Sequence, residues 1–223
     1  MFTTGLAIFL GSPRLYGPLL DAIKLPFFET AAHYEDLGAH GSQYAALLTF
    51  AALDPGDTFT KSELVGATRS LPADGLRDAA HALVRGLEGA GDQRADYWKS
   101  RIVPYIKSIW PTSRSHVSPS IADSLARLCA ASGEAFPEAV DMLRPWLIPL
   151  EYPEYAIHRL HDARLAERFP RAALDLLAAI VGDQTQHPPT TLPQCLGSIR
   201  SADPGLIDDP RFEALSIYLR RHG

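Results

Sequence analysis

The sequence predicts an all-α protein, built as a short α-solenoid-like array of stacked antiparallel helix pairs in the manner of HEAT or TPR repeats. Three observations carry that expectation. Beyond residue 60, apolar residues recur at i, i+3, i+4 and i+7, the stripe of a 3.6-residue period. Period-2 alternation is nearly absent, and residues 6–10 (LAIFL) are the one strand candidate. Finally, Phe136-Pro137-Glu138-Ala139-Val140-Asp141 is echoed by Phe169-Pro170-Arg171-Ala172-Ala173-Leu174-Asp175, the two Phe-Pro pairs standing 33 positions apart. Pro210-Arg211-Phe212 is a looser third copy. A period of this size is that of one helix-turn-helix unit, in which the Phe anchors the loop to the core and the Pro starts the second helix.

The elements follow in order. Residues 1–60 are broken repeatedly by Gly5, Gly11, Pro13, Gly17, Pro18, Pro26, Gly38, Gly41, Pro55 and Gly56, so they read as an irregular helical segment. Helices are expected there at about 18–24 and, more firmly, at 42–53. Residues 61–223 read as the helical-repeat-like domain. Thr60 or Ser62 can cap a helix that runs to Ser70. Leu76, Ala79, Ala80, Leu83, Val84 and Leu87 form the stripe of the next helix, which Gly89 and Gly91 end. A helix over about 93–110 places Trp98, Ile102, Tyr105, Ile106 and Ile109 inward, with a kink at Pro104, because the ring clashes with the preceding turn. Ser118 or Ser120 opens a helix carrying Ile121, Leu125, Leu128 and Cys129 on one face, and Gly133 stops it. Helices are then expected at 137–147, 153–164, 170–181, 192–201 and 210–221. Trp110 and Trp146 lie on apolar stripes and are expected to be core anchors.

Composition narrows the function. With 21 Lys and Arg against 26 Asp and Glu, the net charge is −5, and nucleic acid is disfavoured as a generic partner. Two cysteines, Cys129 and Cys195, cannot build a disulfide scaffold or a Cys-rich zinc site. The apolar run near the N-terminus is short and has no basic residue before it, unlike a secretory signal. No stretch approaches the ~20 apolar residues that span a bilayer, so a cytoplasmic protein is expected.

Chemistry-bearing patterns are few. His158 and His161 are spaced i, i+3, and Asp162 completes a His-Asp dyad of the kind used by HD-type phosphohydrolases. Such a site needs ligands from other helices, and His116 and Asp183 stand in no context that marks them. The solvated face of a helix is the simpler reading. His33, His40, His81, His187 and His222 are scattered. There is no G-x-S-x-G elbow, no C-x-x-C and no phosphate-cradling Gly motif, so no cofactor is expected. Arg94, Lys99, Arg101, Lys107 and Arg114 are interleaved with Trp98, Tyr105 and Trp110. Cations among aromatics can hold a single strand by stacking. Here the aromatics share the apolar stripe, which favours an ordinary amphipathic helix.

The stretches Tyr97-Trp98-Lys99-Ser100-Arg101-Ile102-Val103-Pro104-Tyr105, Ile109-Trp110-Pro111, Ser132-Gly133-Glu134-Ala135-Phe136-Pro137-Glu138-Ala139-Val140 and Asp209-Pro210-Arg211-Phe212-Glu213-Ala214-Leu215 form a further pattern. Together they resemble the helical C-terminal module of large bacterial proteins encoded near anti-phage systems, some of which carry an N-terminal sirtuin-type domain. The resemblance covers about residues 60–223 and implies packing signatures, with no catalytic residue to carry over. It implies a non-catalytic interaction or sensor module that binds a protein partner or self-associates. The alternative is a small metal-dependent phosphohydrolase centred on His161 and Asp162.

Overall fold

The computed structural model describes residues 34–54, 60–110, 118–182, 185 and 187–222. The strand candidate at 6–10 and the expected helix at 18–24 lie outside them, as do His33, Arg114, His116 and Asp183. The described residues contain helices and no strand. They group into two compact units, one from residues 34–89 and 96–110, the other from 90–95 and 118–222.

In the first unit, a 3-10 segment, Tyr34–His40, leads into α1 (Gly41–Leu53). α2 (Lys61–Arg69) and α3 (Ala73–Gly89) follow. The opening of α2 is a capping box. The Glu63 amide donates to the Thr60 hydroxyl at 3.3 Å, and the Thr60 amide donates to the Glu63 carboxylate at 2.8 Å. α1 packs against α3; Ala45, Leu48 and Ala52 on α1 and Ala79, Ala80, Leu83 and Leu87 on α3 are all buried. So many alanines let the two backbones approach closely, and the larger Leu side chains fill the seam.

The expected helix over 93–110 is present but not continuous. A 3-10 turn (Gly91–Gln93) and α4 (Arg94–Tyr97) precede a π-helical turn, Trp98–Ile102, and α5 (Val103–Ile109) completes the run. In the π turn the Val103 amide reaches back five residues to the Trp98 carbonyl. Pro104 explains this. It brings no N–H to the ladder and its ring crowds the turn before it, so the chain winds in an extra residue where a sharp kink was expected. Trp98, Ile102, Tyr105, Ile106 and Ile109 are all buried, as their spacing requires. Trp110 is buried too and meets the Tyr105 ring edge-on at 6.4 Å. The Tyr105 hydroxyl shares a 3.1 Å hydrogen bond with Thr49, so a polar pair inside the unit is satisfied.

The second unit is a stack of three helix pairs. α6 (Pro119–Ala131) pairs with α7 (Phe136–Leu143). α8 (Glu154–Asp162), the single turn α9 (Leu165–Arg168) and α10 (Pro170–Ile180) make the second pair. α11 (Leu192–Ala202) and α12 (Pro210–His222) make the third in chain order, joined through a 3-10 turn, Pro204–Asp208, that packs on both, while α11 itself packs on α9 and α10. The first helices form one layer, in which α6 touches α8 and α8 touches α11. The second helices form the other, in which α7 touches α10 and α10 touches α12. Ser118 caps α6 by accepting from the Ile121 amide at 3.3 Å. Gly133, at φ 60°, supplies the left-handed residue that turns the chain into α7.

The sequence echo is a physical contact. Phe136 begins α7, Phe169 precedes α10, and their rings lie 6.2 Å apart across neighbouring pairs. The Arg168 guanidinium sits 5.1 Å from the centre of the Phe169 ring and pairs with Glu134, closing the cluster from outside. Pro137, Pro170 and Pro210 each sit in the first turn of the second helix of a pair, where a missing N–H costs nothing. The echo's acidic residue, Asp175, gathers Arg144 at 3.4 Å and Arg211, and Arg211 also grips Asp209 at 2.7 Å. Charge therefore ties the end of α7, the middle of α10 and the start of α12.

The helix expected at 137–147 ends earlier, at Leu143, and continues as a 3-10 turn, Arg144–Trp146, because Pro145 removes a ladder donor. Trp146 is still delivered to the core. The helix expected at 153–164 stops at Asp162, and Arg164 takes a left-handed conformation at φ 54° before α9 begins.

Candidate functional site

α8 carries the residues that the sequence singles out. Its apolar side, Ala156, Ile157 and Leu160, is fully buried. The opposite side presents Tyr155, His158, Arg159 and Asp162 at i, i+3, i+4 and i+7, one continuous stripe. His158 Nε2 lies 3.2 Å from one Asp162 oxygen, and His161 Nδ1 lies 3.4 Å from the other. The three side chains are 56%, 42% and 58% exposed, so this is an open polar cluster on the helix surface. Each imidazole is turned to its own carboxylate oxygen. Among the described residues, no group of three or more His, Cys, Asp or Glu side chains is placed to hold a metal ion. His40, His81, His187 and His222 lie elsewhere on exposed positions, and His222 stacks on Tyr218 at 4.8 Å.

Beside this cluster is a feature that the sequence reading missed. Tyr155 is 45% exposed, on the side of α8 away from its buried face, and Tyr152, just before the helix, is 60% exposed. Two guanidinium groups lie against the Tyr155 ring: Arg127, from α6, at 4.2 Å and Arg159, from α8 itself, at 5.0 Å. Asp123 holds Arg127 at 2.6 Å, which fixes the cation over the ring. Adjacent pairs of the stack thus build one aromatic-cationic surface. Trp, Tyr and Arg are enriched among the side chains that dominate binding energy at protein interfaces, Tyr because its rigid ring offers large contact area at low entropy cost and Arg because its planar guanidinium presents several donors. The signal in the sequence is that Tyr155 stands off the apolar stripe of its own helix, where a large ring has no core to fill.

The basic-aromatic stretch resolves as an amphipathic arrangement. Trp98, Tyr105 and Trp110 are buried, while Lys99, Arg101 and Lys107 face water and Arg101 pairs with Asp54 at 3.2 Å. No open ring face remains among those three aromatics for a base to stack upon. Elsewhere in the first unit, Glu35, Ser42, Asp74, Arg77 and Asp78 line an open groove, in which Arg77 binds Asp74 and Asp78, each at 2.9 Å.

Several groups are shifted by their surroundings. Burial pushes the Cys195 thiol up to about 12, and it raises the Cys129 thiol as well. Both cysteines are therefore protonated packing residues at neutral pH. Hydrogen bonds from Arg211 hold the Asp209 carboxyl down at about 2.

The described residues of the second unit define an all-α protein built of stacked helices. The chain is similar to a curated protein of Sinorhizobium fredii (strain NBRC 101917 / NGR234), "Uncharacterized protein y4cA", with 32% identity over 137 residues. That match covers 60% of this chain and 11% of the relative, so the chain corresponds to a small part of a much longer protein. No family model matches the chain. No solved structure matches it either.

Proposed function

We propose that this chain is a non-catalytic α-helical interaction module, working in the cytoplasm as part of a larger bacterial protein. The observation that carries the reading is the Tyr155 surface: an exposed ring with the Arg127 and Arg159 guanidinium groups against it, on a stack of helices. Exposed tyrosines on a firm scaffold are costly to leave in water and suited to docking a protein. The great length of the S. fredii relative supports the view of one module among several. Among the described residues no helix is long and apolar enough to cross a membrane. The resemblance to the helical module of anti-phage proteins makes defence the context proposed, with a protein from the same locus, or a second copy of the chain, as partner.

The test is co-expression with the neighbouring gene products, followed by size-exclusion chromatography. Wild type is expected to elute as a complex or a defined oligomer, and Tyr155→Ser combined with Arg159→Ser to elute free at unchanged melting temperature. A wild type that stays free and monomeric, or a double variant that still assembles, contradicts the proposal. The rival reading, an HD-type hydrolase at His161 and Asp162, predicts instead stoichiometric metal in untagged protein that is lost in His161→Ala.

A further inference from the structure

We draw no further inference here: the strongest candidate, the exposed patch of Tyr155, Arg127 and Arg159 on α6 and α8, belongs to the site already described, and nothing in the structure shows what covers it.

Discussion

Replacing Thr185 by Val keeps the shape of a buried side chain and deletes one oxygen. That oxygen serves two backbone groups in the second unit. It donates to the Leu150 carbonyl at 2.9 Å and accepts from the Gly182 amide at 3.2 Å. The Thr185 carbonyl meanwhile accepts from the Tyr218 hydroxyl at 3.3 Å, which brings in α12. The side chain is 4% exposed, so water cannot replace the lost oxygen cheaply. A buried polar group left without its partner costs about 1–3 kcal/mol, and one of the two groups here, on Gly182, is only partly buried. The expected loss is therefore about 2 kcal/mol, near the lower end for two groups. For a chain of this size that lowers the melting temperature by about 4–8 °C. Thr185→Ser keeps the oxygen and removes one methyl, for about 0.8 kcal/mol. Urea unfolding followed by circular dichroism measures both, with an unchanged slope as the sign of an unaltered unfolded state. A Val variant as stable as the Ser variant, or more so, would show that the hydroxyl does not join these segments.

Three other outcomes are expected. The Asp209 carboxyl titrates near 2 in the folded chain and near ~3.9 when unfolded, so its contribution is full above the unfolded value and fades as pH falls through the folded one. With its side chain 20% exposed, about 1 kcal/mol should separate wild type from Asp209→Asn at pH 6, and the gap should close by about pH 2; a gap that persists there refutes the assignment. Cys129 and Cys195 should resist a thiol reagent at pH 8 in the native protein and both react in denaturant, whereas rapid native labelling would place a thiol at the surface. His158→Ala combined with His161→Ala should shift stability by less than ~0.5 kcal/mol, with or without chelator, and a chelator effect seen only in wild type would restore the metal site.

Much of the fold was legible because helix stripes and their stops are local. The stripes expected on α3, α6 and α10 are buried apart from Leu76, which is only half-buried at the start of α3, where Gly75 is buried instead. Trp110 and Trp146 are buried as their stripes demand, and the Phe-Pro echo turned out to be two rings in contact. Proline effects were only partly legible. Pro104 was expected to disturb its helix, but Pro145, inside a helix expected to run to 147, was not; whether the backbone answers with a kink, a π turn or a 3-10 turn depends on what the flanking side chains must reach. Thr185 left no trace, since it joins segments distant in sequence through backbone atoms that every residue has. The Tyr155 surface was hidden for a similar reason. Arg127 and Tyr155 are 28 positions apart, and only the stacking of α6 on α8 brings the guanidinium over the ring. His158, His161 and Asp162 drew attention by residue type, and the structure places them together on open surface next to that ring.

The most direct test of the docking surface is photo-crosslinking in living cells. A benzophenone amino acid would be placed at position 155 of the full-length protein in its own host, with a matched probe at exposed position 213, on α12 in the other layer. The expected result is one discrete adduct from position 155, to a protein of the same locus or to a second copy, and none from position 213. Equal, diffuse labelling at both positions, or no adduct at 155, would contradict the proposal that this face of the helix stack binds a partner.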